Sequence, residues 1–435
     1  MDAKRILTTE YDQQYPIFSM VLAYVLILLT PFLSSLTSYA AFAICLYRII
    51  RYDSKVFATD YALLLPITTV FRTSGGLTLT VFLCLIAAVV YVIREGLQAN
   101  RLLVILLLLL NYLLLRMQMN IDGFVLCFGQ LFALYALLPK QDAQSAERTL
   151  KGYCYSLLLA AAYVMAFRGT GQLRAMLGDE GEAIWGSGIM RFHGMMRDPN
   201  YYMTTVTVGL ASLAKLKETG RLKLLPFVIM GICLIALGVL TYSKAFFLAL
   251  VLFALIYIIW QFRNKRIFVG VVLVVVAILA ADALLLSENS PFAVVIARFL
   301  NSEDISDLTT GRTDIYLQYI RAILKNPLTF LFGYGLGTPE LEKAPHNVYI
   351  EIVYYTGIVG FALFTGFVMS LIKTLKVQLP DMDKQSAISK YIALLMIAVL
   401  YFSLHGIYRV DFYGNVFLAF LAMIVTEKQE SDAEA

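Results

Sequence analysis

Charge is scarce in this chain: only 15% of its 435 residues are Asp, Glu, Lys or Arg, against about 25% in soluble domains. A soluble globular protein is excluded on that ground, because too little polar surface exists to cover it. Cysteine is scarce as well. Cys45, Cys84, Cys127, Cys154 and Cys233 all fall inside apolar runs, without metal spacing or loop positions suited to disulfides, so they read as small buried hydrophobes. No phosphate loop, HExxH or acidic metal cluster is present, and the one Asp-x-Asp pair, Asp381 and Asp383, sits in a basic connecting loop. No metal and no cofactor is therefore expected, and the chain offers no surface for nucleic acid. Histidine is rarest of the titratable groups, with His193, His346 and His405 the full set.

What fills the chain is apolar residue, 60% of the total. Runs approaching the roughly 20 residues that cross a bilayer recur from end to end. They lie near 17–34, 39–50, 63–72 with the residues upstream of it, 77–93, 102–116, 123–138, 153–167, 201–216, 224–241, 245–261, 267–285, 348–371, 388–404 and 412–425. The third is interrupted by Pro66 and has Asp60 nearby, so it reads as a span or as a re-entrant segment, and about twelve to fourteen crossings are expected. No small-residue cleavage site follows the first run, which is read as a retained span rather than a signal peptide. The expected fold is an all-α polytopic bundle, residues 1–435 forming a single integral membrane domain.

Orientation follows from the loops. Arg48, Arg51, Lys55, Arg94, Arg101, Lys140, Arg148, Lys151, Lys215, Arg221, Arg263 and Lys376 fall in alternate connections, which places those loops and both termini in the cytoplasm. Two long connections then lie outside, 168–199 and 287–345. Long loops in a compact protein are functional or disordered, and these carry turns, aromatics and helical periodicity.

All three histidines and Arg168, Arg174, Arg191, Arg197, Arg298, Arg312, Arg321 and Arg409 reach this outer side. Arginine there runs against the orientation rule, and its planar fork suits phosphate or carboxylate. Each has a plainer alternative in snorkelling or in pairing with Asp179, Glu180, Glu182 or Asp304. Asp198 and Pro199 fit the N-cap and first position of a helix whose positive end meets Arg197. Thr309 or Thr310 is expected to cap an amphipathic helix running from Gly311 to about Lys325, with Tyr316, Tyr319 and Ile323 on one stripe and Asp314, Gln318, Arg321 and Lys325 on the other. The Tyr242-Ser243-Lys244 turn adds a cation. His193 divides evenly between loop packing and function, and His405 reads as a structural partner of Arg409 and Asp411. His346 opens a span beside Asn347, after the glycine-rich run Gly333-Tyr334-Gly335-Leu336-Gly337, and is the strongest candidate for chemistry. Glu351, little more than a turn on, reads as a satisfied polar residue inside the bundle.

In order, Arg191-x-x-Gly194 through Asp198-Pro199-Asn200, Leu240-Thr241-Tyr242-Ser243-Lys244, Gly311-Arg312, Gly333-x-Gly335-x-Gly337, and Pro345-His346-Asn347 leading to Gly357-Ile358-x-Gly360 resemble the bacterial O-antigen ligase/polymerase superfamily. The resemblance covers roughly residues 191–371. It departs from the family pattern at Lys244, where an arginine is usual, keeping the charge but losing the bidentate fork. The resemblance implies a metal-independent glycosyltransferase in the bacterial cytoplasmic membrane, its site facing the periplasm or exterior. Donor and acceptor would be glycans on undecaprenyl pyrophosphate, with membrane lipids, a chain-length regulator and a flippase as partners. It implies His346 as general base and Arg191, Arg197, Arg312 and Lys244 as pyrophosphate ligands, supported by Asn347, Glu351, His193, Asn200 and Tyr316. Polymerisation of lipid-linked repeat units of a surface polysaccharide, O-antigen or capsule, is the expected activity, because aromatics line the outer helices and no large outer domain docks a protein. Alternatives are a ligase delivering the glycan to lipid A–core or another acceptor, and a non-enzymatic lipid-linked sugar transporter, for which a polar cavity through the midplane is required.

Overall fold

The computed structural model describes residues 15–74, 77–118, 121–177, 190–261, 294–295, 297, 311–378, 386–404 and 406–425. Among them the chain is helical, with isolated β-bridges pairing Arg72 with Thr78 and Met117 with Leu336. The helices are α1 (Ile17–Leu29), α2 (Ser35–Arg51), α3 (Ser54–Leu64), α4 (Leu79–Glu95), α5 (Arg101–Leu115), α6 (Ile121–Leu137), α7 (Ala143–Phe167) and α8 (Gly171–Leu177). They continue as α9 (Pro199–Glu218), α10 (Leu224–Val239), α11 (Lys244–Gln261), α12 (Arg312–Leu324), α13 (Pro327–Phe332), α14 (Val348–Gln378), α15 (Ser386–Leu400) and α16 (Val410–Ile424).

Local sequence sets where these begin. Ser34, Asp53, Asn100, Asp142 and Asn326 each accept a backbone N–H from the first turn of the helix that follows, satisfying donors that have no partner within the helix. Among the described residues three apolar helical stretches are long enough to cross a membrane, Ile121–Lys140, Ala143–Phe167 and Val348–Lys376, with shorter ones at Ile17–Leu29, Arg101–Leu115, Leu224–Val239, Lys244–Phe253 and Val410–Ile424. Their length and composition are those of a helical membrane protein. The third expected span is represented by its upstream residues: α3 begins at Ser54 and gives way to a 3-10 turn, Leu65–Ile67, at Pro66, leaving Arg72 beyond the helix. The span at 267–285, both chain ends and much of the two long loops lie outside the described residues.

One apolar cluster runs from Met20 to Val425. Its axis is α9, nearly all of whose side chains are buried, packed against α7, α10, α11, α15 and α16. Arg48 is no loop cation: it lies in the last turn of α2, only 1% exposed. Its Nε and one Nη reach Asp60 at 2.7 Å each, a bidentate pair that supplies the counter-charge a buried guanidinium requires. Four cysteines are buried as expected, whereas Cys233 is exposed on α10.

The glycine-rich run is a splint. α14 is broken at Gly357, where φ is 65°, a conformation that only glycine adopts without strain. Carbonyls freed by the break accept from Tyr334 N (2.8 Å, Tyr354 O), Gly335 N (2.9 Å, Tyr355 O) and Tyr112 OH (2.6 Å, Thr356 O). On its other edge, Leu336 N donates to Arg116 O at 2.7 Å and Gln118 N to Leu336 O at 2.8 Å. A Cβ on Gly333 would lie 2.5 Å from Gly357 N, and one on Gly357 would lie 2.3 Å from Leu331 O. The backbones meet so closely that neither position admits a side chain. The Tyr354, Tyr355 and Thr356 carbonyls at the kink are thus each met by a donor, as a break inside an apolar helix requires.

Candidate functional site

The site is assembled at the N-terminal end of α9. Asp198 is the N-cap, accepting Asn200 N at 2.6 Å, with Pro199 in the first helical position. Asn200 Oδ1 is a hub: Ser243 Oγ donates to it at 3.0 Å and Arg191 Nη2 at 3.2 Å. Arg191 Nε donates to Thr241 O at 2.7 Å, and Phe192 N donates to Leu240 O at 2.9 Å. The Arg191 stretch, the start of α9 and the Thr241–Lys244 turn are thereby one rigid unit. Tyr242 takes φ +49° in that turn, strain of the kind that collects at functional sites. Gly194, at φ +54°, lies flat on the Tyr202 ring, where a Cβ would come within 2.2 Å.

The second part is the start of α14. Asn347 is buried, and its Oδ1 accepts Tyr349 N at 3.0 Å and Ile350 N at 3.1 Å, making it the N-cap. His346, just outside the helix, holds φ +44°. Its carbonyl accepts from Tyr316 OH at 3.1 Å, and the same hydroxyl donates to Phe402 O at 2.6 Å. Tyr316 thus ties α12, the His346 turn and the segment after α15 together. It is not part of the apolar stripe expected of it. That stripe is Ile315, Tyr319 and Ile323, all buried, while Asp314, Gln318, Arg321 and Lys325 are exposed. The start of α12 also differs from expectation: the N-cap is Gly311 at φ 75°, with no side-chain cap. Glu351, 2% exposed, accepts Gly406 N at 2.6 Å and Ile407 N at 3.2 Å. It is the satisfied buried residue expected, and its carboxylate shapes the chain that leads to Arg409.

Electrostatics join these parts. Burial pushes the His346 pKa below its ordinary value; Arg312 and Lys343 add to the shift and Asp198 opposes it. The imidazole is therefore neutral at neutral pH, the state a proton acceptor needs. His193 is lowered too, by burial, against the Met196 carbonyl at its Nδ1 and the charge of Asp198. Asp198 acts on both histidines. Arg409 pairs with Asp411 at 2.9 Å and lies over the Tyr201 ring, 3.7 Å from its centroid, a cation–π contact. The pairing expected of His405 falls outside the described residues, as do Asp179, Glu180, Glu182 and Asp304.

Of the expected residues, Arg191, Asn200 and the Ser243–Lys244 turn form one group, and His346, Asn347, Tyr316 and Arg312 a second, with Asp198 acting across from the first. Arg191 is 8% exposed, fixed beneath the site by its hydrogen bonds, whereas Arg197 is exposed. The sequence reading passed over Arg72, which the third apolar run absorbed as its last residue. Its position after Pro66, on the same side as the other arginines, was the available signal.

Residues 217–365 match a family described as O-antigen ligase. That stretch holds Lys244, Arg312, Tyr316, His346, Asn347 and Glu351 and omits Arg191, Arg197 and Asn200. A ComP-specific O-oligosaccharyltransferase from Acinetobacter baylyi is 24% identical over 197 residues, covering 40% of this chain and 33% of that protein. The chain thus aligns with about a third of this curated relative's length. No solved structure matches. Together the matches support a likeness to the O-antigen ligase/polymerase-like superfamily.

Proposed function

We propose that the protein polymerises oligosaccharide repeat units carried on undecaprenyl pyrophosphate, at the outer face of the bacterial cytoplasmic membrane. The observation that carries this reading is His346: buried enough to stay neutral, held at φ +44° by Asn347 and Tyr316, and set near Arg312. In the reaction His346 takes the proton of an acceptor hydroxyl as its oxygen bonds to the anomeric carbon of the donor glycan. The bond from that carbon to the pyrophosphate oxygen breaks, and the electron pair leaves with the pyrophosphate. Fixed cations stabilise the charge that develops there without reorganising. Arg197, Arg312 and Lys244 supply it directly, and Arg191 from beneath, through a guanidinium already held by Thr241 and Asn200. His193 supports the loop that carries Arg197.

A ligase is the second reading, favoured by the family description and by the relative's name. The two separate on acceptor. The purified protein, given one polyprenyl-pyrophosphate-linked repeat unit as sole substrate, yields a ladder of lipid-linked oligomers if it polymerises. A ligase consumes donor only when lipid A–core or a protein acceptor is added, and that result would replace the polymerase reading.

A further inference from the structure

Three arginines from distant parts of the chain, Arg72, Arg197 and Arg409, are close enough that the charges of the last two act on the first. Arg72 sits in the turn after the Leu65–Ile67 helix, paired through its backbone with Thr78. Leu65 is pressed against α16, where a Cβ on Gly414 would lie 2.3 Å from Leu65 Cδ2, so this turn is anchored at the base of α16. Arg409 caps that same helix and lies on Tyr201 in the first turn of α9. Arg197 immediately precedes the α9 cap.

The group carries more positive charge than its neighbours offset. Arg409 has Asp411, and the Asp198 carboxylate is already used to cap Asn200 N. Arg72 Nε is buried without a hydrogen-bond partner, and such a donor is costly to leave unmet. Burial, then the charges of Arg197 and Arg409, push the Arg72 pKa down to about 10. Repulsion among guanidiniums and an orphaned donor are both relieved by an anion with several acceptor oxygens. The charge of Asp198 acts on both His346 and Arg409, so this group and the Arg312–His346 group share one carboxylate.

We propose that Arg72, Arg197 and Arg409 form a second anion seat, which takes the pyrophosphate of the acceptor lipid while Arg312 and Lys244 hold that of the donor. The assignment rests on the polymerase reading, in which both substrates carry the same anionic group and two seats are required. Arg197, at the border, serves both.

The test is equilibrium binding of sugar-free undecaprenyl pyrophosphate to the full chain in phosphatidylcholine nanodiscs. The wild type binds two equivalents. Arg72→Gln weakens one of them about tenfold, the loss of one charge-assisted contact, and leaves the other. Arg72→Lys recovers most of the loss, which separates lost charge from misfolding. Arg312→Gln weakens the opposite equivalent. A single equivalent in the wild type, unchanged binding by Arg72→Gln, or loss of both equivalents in that variant overturns the proposal. So does displacement of the second equivalent by added phosphatidylglycerol, which would assign the seat to bulk lipid headgroups. None of these readouts depends on proton transfer at His346, so failure here is distinct from failure of the catalytic reading.

Discussion

Glu351 gives the sharpest energetic expectation. Its carboxylate is buried and accepts Gly406 N at 2.6 Å and Ile407 N at 3.2 Å, holding the segment that positions Arg409. Hydrogen bonds to a charged group contribute about 1.5–3 kcal/mol each, and an abandoned buried donor costs about 1–3 kcal/mol. Glu351→Ala removes Oε2, the one oxygen that accepts both bonds, so a loss of about 3–5 kcal/mol follows once water entering the gap is allowed for. Glu351→Gln keeps one carbonyl oxygen able to accept both N–H groups as neutral hydrogen bonds, and loses about 1–2 kcal/mol. Unfolding in mixed micelles by titration with dodecyl sulfate measures both, alongside glycan transfer. The order wild type, Gln, Ala should appear in stability and in activity, because a released Gly406–Ile407 turn lets Arg409 leave Tyr201. Equal stability of Gln and Ala, or an Ala variant as stable as wild type, would refute the clamp.

Acid inactivation should follow His346. Its lowered pKa places the acidic limb of the rate profile below the ordinary histidine value of about 6.5, with activity rising as pH rises through it. Lys343 helps to hold that pKa down, so Lys343→Gln should move the limb to higher pH by a few tenths of a unit, read from a pH–rate profile; a downward move contradicts the electrostatics. Gly357→Ala meets Leu331 O at 2.3 Å and φ 65°; the left-handed backbone alone costs about 1–2 kcal/mol, and a lowered melting temperature should accompany lost activity. Asn200→Ala removes the acceptor shared by Arg191 and Ser243, and should cost about 1–3 kcal/mol; Asn200→Asp, which retains an acceptor, should be milder in the same melting assay.

Local signals in the sequence carried much of this structure. The Asp198–Pro199 cap and the body of the Arg312–Leu324 helix are each written in neighbouring residues, and each stands where those residues imply. Long-range pairing was not legible. Arg48 looks like any cation in a basic loop until Asp60, twelve residues on, is brought against it by the packing of α2 and α3. The Gly333–Gly337 run looks like a turn because nothing nearby reveals that its amides serve carbonyls of Tyr354 and Tyr355. Tyr316 shares a helical face with Tyr319 by spacing alone, and only the fold takes its hydroxyl to the His346 and Phe402 carbonyls. Arg72 hid inside an apolar run for the same reason: the helix gives way at Pro66, and only the fold brings Arg72 under the charges of Arg197 and Arg409.

The central claim is that a neutral His346 accepts the proton of the attacking hydroxyl. Wild type and His346→Ala, purified in lipid and given the same polyprenyl-pyrophosphate-linked repeat unit, test it most directly when products are separated by size. The account predicts a ladder of lipid-linked oligomers from the wild type, and from His346→Ala none, with donor binding and melting temperature retained. A ladder of comparable rate from His346→Ala would contradict it.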